Sequence, residues 1–163
     1  MAKDLNVALN TVELTYGQIE NIAYSMLAAS FEEPNKVMAS IQVGVESMSI
    51  DAIRDSIIKL QLAAYALSEL RDKTGVKAAC AEAVRKEAYA TSYVSQEGTA
   101  GVKESNTTLA IAENIVVQCL YELVASLVKT KVDMILRMVD SLKSVLMSRM
   151  QEVKLSASNS VFN

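Results

Sequence analysis

Arg85, Tyr89 and Tyr93 follow one another at four-residue steps in the run Val84-Arg85-Lys86-Glu87-Ala88-Tyr89-Ala90-Thr91-Ser92-Tyr93, so on a helix they share one face. A guanidinium pairs with a phosphate while a tyrosine ring stacks on an unpaired base. Together they could hold single-stranded nucleic acid without reading its sequence. Lys86 adds a second positive charge beside the stripe. The same residues also fit a plainer arrangement, in which both tyrosines pack against a neighbouring helix and Arg85 pairs with a surface carboxylate.

Little else in the chain offers chemistry. No histidine occurs among the 163 residues, which removes Ser-His-Asp and Cys-His nucleophile systems and nearly every catalytic zinc arrangement. Asp51 and Asp55 stand four apart with Arg54 between them, but a di-metal bundle site needs Glu-x-x-His pairs or further carboxylates on facing helices. Gly98-Thr99-Ala100-Gly101 is too short for a phosphate loop and follows no strand pattern. The expectation is a non-enzymatic protein with no catalytic residues, no metal and no cofactor.

The elements that must carry the stripe are helical. Half the residues are apolar, with one proline, five glycines, two phenylalanines and no tryptophan, which disfavours many-turned all-β folds. Apolar residues recur at three- and four-residue steps from Leu5 through Leu9, Val12, Tyr16, Ile19, Ala23 and Met26 to Leu27, predicting an amphipathic helix over 5–30. Glu32-Glu33-Pro34-Asn35 is expected to end it, since proline lacks the donor that continues a helix. A shorter helix over 35–48 follows, and Ser49-Ile50-Asp51 marks a restart, with Ser49 or Asp51 capping a run that carries Ile53, Ile57, Leu60, Ala64, Leu67 and Leu70. Thr74-Gly75 is expected to break that run, with another helix over 76–96. Gly98 to Thr108 reads as a loop leading into a helix.

No proline or glycine interrupts 107–155, so a single helix there would be on the order of 70 Å long. Two apolar stripes run along it, one through Leu123, Leu127 and Met134, the other through Ile135, Val139, Leu142 and Leu146. Met134, Met138, Met147 and Met150 fall at helical spacing, where thioethers fill irregular helix interfaces. So broad an apolar girth wants neighbours on more than one side. The expected architecture is all-α, helical hairpins with one long C-terminal helix that oligomerises as a coiled-coil or bundle-like assembly. Its interface would be Leu123, Leu127, Met134, Ile135, Met138, Val139, Leu142 and Leu146. The organisation divides into an acidic N-terminal helical region (1–74), a basic-aromatic helix, glycine loop and oligomerisation helix (75–155), and a flexible tail (156–163).

Net charge is −3, which argues against a uniformly basic nucleic-acid binder, but the sign is uneven. Residues 1–70 carry 4 basic and 9 acidic side chains, and residues 71–163 carry 12 basic and 10 acidic. The second half is therefore the anion-binding candidate. Cys80 and Cys119 have no CxxC spacing and are expected to be buried free thiols. The most hydrophobic window, 110–128, is interrupted by Glu113, Asn114, Gln118 and Glu122 and does not read as a membrane span. The opening MAKDLNV lacks a signal-peptide layout. A cytoplasmic protein is expected, in the host cytoplasm if the source is viral.

From Arg85 onward the chain resembles the small helical recombination mediators of phages, the UvsY type. There an Ala-Arg-x-x-Tyr-Tyr helix stretch precedes a glycine-containing loop and a long oligomerising helix. Arg85 and Tyr89 match; Ala88 stands at the first aromatic and Ala83 at a second basic position, with Lys86 one residue removed. Gly98-Thr99 and Lys103-Glu104 resemble the loop and helix entry, and Val139-Asp140-Ser141-Leu142-Lys143-Ser144 resembles an apolar-Asp-x-apolar-Lys-Ser segment near the family's chain end. The resemblance covers about residues 78–154. It implies a homo-oligomer that binds single-stranded DNA, helps displace the single-strand-binding protein and promotes loading of a RecA-like recombinase. Arg85 and Tyr89 would contact the strand by the motif, Lys86 and Tyr93 by geometry. The alternative is a helical scaffold or partner-binding protein that never touches nucleic acid.

Overall fold

A computed structural model describes the backbone of residues 2–161 and the side chains of residues 15–156. Leu5, Leu9 and Val12 of the first expected stripe lie outside the described side chains. The chain is all-α, with α1 Ala2–Gly44, α2 Ile50–Ser95, α3 Ala100–Ala110 and α4 Ala112–Val161, and no strand among the described residues. No single described helix is long and apolar enough to cross a membrane.

Two compact units form, each from stretches distant in sequence. The first comprises the chain up to Ala28 with Leu70–Leu127, the second Ala29–Glu69 with the chain from Val128 onward. The expected organisational boundary at residue 74 lies inside α2.

In the second unit three helical segments share one core. Phe31, Met38 and Ile41 enter from α1, Ile53, Ile57, Leu60, Ala64 and Leu67 from α2, and Val128, Val132, Ile135, Val139 and Leu142 from α4, all buried. Lys131 Nζ reaches Asn35 Oδ1 at 2.6 Å, and Arg149 reaches the carbonyls that follow α1, so α4 runs parallel to α1 and antiparallel to α2. Lys131 also lies 5.4 Å over the Phe31 ring, and burial holds its pKa below the ordinary lysine value. Three of the residues expected at an oligomer interface, Ile135, Val139 and Leu142, are therefore core residues of their own chain. Leu123, Leu127, Met138 and Leu146 are half-buried and Met134 is exposed. The stripe lies on one helix as expected, and its members Ile135, Val139 and Leu142 are covered from within the chain.

The expected break at Pro34 does not occur. Pro34 is buried inside α1, on the stripe with Phe31, Met38 and Ile41. Interior proline costs about 3 kcal/mol, whereas burying a large apolar side chain is worth about 1.5–3 kcal/mol. Several such side chains outweigh one missing bond. Ser49 does cap α2 as expected: its Oγ accepts the Ala52 N–H at 3.1 Å.

Thr74-Gly75 does not break α2 either. Thr74 is buried and its hydroxyl donates to the Arg71 carbonyl at 3.0 Å, while a Cβ at Gly75 would meet nothing within 4 Å. Gly75→Ala should therefore raise stability by about 0.5–1 kcal/mol, seen as a higher urea midpoint. A lower midpoint would show that this backbone needs glycine.

The first unit has a thinner described core, Ala23, Leu27, Thr74, Thr107, Ile111 and Val124. Gly98, at φ +111°, makes the turn after α2, but Gly101 and Ser105 to Thr108 lie within α3 rather than in a loop. The long helix starts at Ala112, after a 59° bend at Ile111. Its far end also departs from expectation, because 156–161 continue α4; residues 162 and 163 lie outside the described chain.

Candidate nucleic-acid interface

All four residues of the expected stripe lie in the first unit, on α2. The heptad-like steps that bury Ile53, Ile57, Leu60, Ala64 and Leu67 continue through Thr74, Ala78, Ala81 and Arg85, so the inner face of α2 becomes small and then polar here. Arg85 is half-buried as a result. Tyr89 and Tyr93, also half-buried, stack on each other with centroids 6.0 Å apart and planes 17° apart. That is the i, i+4 contact their spacing predicts.

The polar partners come from elsewhere in the chain. Arg85 Nε donates to Gln118 Oε1 on α4, and Gln118 Nε2 donates onward to Glu122 Oε1 at 2.6 Å. Lys103 of α3 places its ammonium 6.0 Å from the Tyr93 ring centroid, a cation–π arrangement. Lys86, itself exposed, turns to the half-buried Glu82 at 2.6 Å. The hydrogen bond and charge of Lys86, with a smaller contribution from Arg85, hold the Glu82 carboxyl below its usual range. Tyr89, Tyr93 and Lys103 thus form one cluster; Arg85 stands one turn before Tyr89 on the same helix with its guanidinium on Gln118, and Lys86 is peripheral and tied to an acid.

Lys103 and Gln118 were not singled out by their spacing to Arg85. Lys103 enters the sequence reading only as part of the Lys103-Glu104 helix entry after the Gly98 turn, which brings α3 back toward the end of α2. Gln118 sits in an apolar run with Glu122 one turn on, a pair that reads as an ordinary helix-surface link.

Two expectations about reactive groups change. Cys80 and Cys119 are free, as expected, but both are exposed. With Thr74, Ala78 and Ala81 turned inward, Cys80 falls on the outer face of α2. Among the described residues, no three Cys, Asp or Glu side chains are grouped to hold a metal ion. Comparison with protein-family models, curated proteins and solved structures finds no match.

Proposed function

We propose that the chain is an oligomeric, non-enzymatic mediator that binds single-stranded DNA and promotes loading of a RecA-like recombinase against the single-strand-binding protein, in the cytoplasm. The observation that carries this is the stacked Tyr89–Tyr93 pair flanked by Arg85 and Lys103 on one surface of the first unit. Arg85 meets the neutral amide of Gln118 and not a carboxylate. A phosphate forms the stronger, charge-assisted bond with a guanidinium, so exchanging an amide for the strand is favourable. Tyr89 and Tyr93, only half-buried, supply the aromatic surface for stacking, and Lys103 supplies a second phosphate contact. One such cluster is weak; copies repeated along one strand add through effective concentration. Local positive charge explains how a protein of net charge −3 can engage DNA, with an affinity that falls as salt rises.

Anisotropy of a labelled single-stranded oligonucleotide tests this. Arg85→Ala/Tyr89→Ala should weaken binding on the order of ten- to a hundredfold, since one base stack is worth about 1–3 kcal/mol. Tyr89→Leu, which keeps apolar volume, should lose most of the same affinity, and Lys86→Ala little. Absence of salt-sensitive binding by the folded wild-type protein would overturn the proposal. A helical scaffold that leaves nucleic acid untouched is favoured by the half-burial of both rings, and it predicts no binding in any of these variants or in the parent.

A further inference from the structure

The first unit leaves an apolar groove open between α2 and α4. Val76, Cys80 and Val84 follow at four-residue steps on α2, and Val117 and Tyr121 face them from α4, around a volume of about 320 Å³. Val76, Val84 and Val117 are 64%, 53% and 46% exposed. The cause lies in the sequence of α2: over this stretch its inward positions are Thr74, Ala78 and Ala81, and its valines point out. A helix apolar on two sides needs a neighbour on each, and among the described residues the valines of this side stay exposed.

Charge decides what that neighbour is. Lys77 lines the groove on the α2 side, and Glu113, one turn before Val117, stands exposed on the α4 side. Neither forms an ion pair among the described residues. A surface whose two helices carry opposite charges along an apolar centre is complementary to itself under a two-fold rotation, because residue i then meets residue j at both ends of the contact. A purely basic or acidic partner would leave one of the two charges opposed.

We propose that a second copy of this chain docks on this groove, two-fold related. The α2 and α4 segments of both copies then pack together, with Cys80 inside the contact and Lys77 of each copy facing Glu113 of the other. This deepens the oligomeric part of the proposed function and does not depend on DNA binding.

The test is light-scattering mass in solution combined with thiol reactivity. Wild-type protein should show an even multiple of the 17.7 kDa chain mass. Val84→Asp, at an exposed position, should halve it with helicity by circular dichroism unchanged. Lys77→Glu alone should lower the mass, and Lys77→Glu/Glu113→Lys should restore it, an outcome only self-pairing produces. Without any mutation, alkylation of Cys80 by iodoacetamide should slow several-fold as protein concentration rises, while Cys119, outside the groove, keeps its rate. A mass of one chain at every concentration, failure of the charge swap to restore assembly, or equal behaviour of the two thiols would overturn the proposal. Assembly lost in Val84→Asp beside a wild type that binds no DNA would remove the mediator reading and leave this one standing; the reverse pattern would remove this one alone.

Discussion

Ile135→Ala should lower the unfolding free energy by about 2–5 kcal/mol, a large share of the 5–15 kcal/mol typical of a domain. Ile135 is fully buried, in the core that α4 shares with α1 and α2 in the second unit. Truncation leaves a cavity in that core, whose other buried side chains are already committed to it. Met134→Ala, one residue away at a 47% exposed position, should change stability by less than about 0.5 kcal/mol. Urea unfolding of both variants checks the contrast. It also decides who covers the stripe: a loss caused by an intrachain cavity is independent of protein concentration, whereas a residue buried by another copy makes the midpoint concentration-dependent. Leu142→Asp, at a position 1% exposed, should unfold the second unit and not merely separate subunits. A folded, monomeric Leu142→Asp protein would return this stripe to the oligomer interface.

Removing the Arg149 guanidinium is the other change with a large expected effect. Helix α1 ends at Gly44 with no basic residue in its last turn, and the carbonyls there have no helical donors ahead of them. Arg149 does not reach those but binds the connection just beyond them from α4: it donates to the carbonyls of Val45 at 2.9 Å, Glu46 at 2.6 Å and Met48. Its charge also opposes the negative end of the α1 dipole. Hydrogen bonds from a charged donor are worth about 1.5–3 kcal/mol, so Arg149→Ala should cost about 2–3 kcal/mol. Faster amide exchange should concentrate at residues 45–52, the α1–α2 connection. Arg149→Lys keeps the charge but not the fork that spans three acceptors and should recover less than half the loss. Unchanged exchange in that connection would show that the bonds contribute nothing net.

Much of the fold was legible in the chain. The steps of three and four through Ile53, Ile57, Leu60, Ala64 and Leu67 placed the inner face of α2 correctly, and Ser49 marked its start, because period and capping depend only on helix geometry and neighbouring atoms. Breakers were over-read for the opposite reason. Pro34 and Gly75 carry local penalties of about 3 and 1 kcal/mol, which a sequence displays, while the burial that overrides the proline involves α2 and α4 side chains far along the chain.

The candidate site divides in the same way. Tyr89 and Tyr93 stack because four residues separate them on one helix, and that needs no other element. Arg85 finds Gln118 across 33 residues, and Lys103 finds Tyr93 only after the Gly98 turn has redirected the chain. The exposure of Cys80 and the interior placement of Ile135, Val139 and Leu142 belong to this second group. An apolar heptad is the same pattern whether its partner is a helix of its own chain or of another copy. Periodicity along the sequence therefore specifies which residues share a face, and the packing of helices specifies what each face meets.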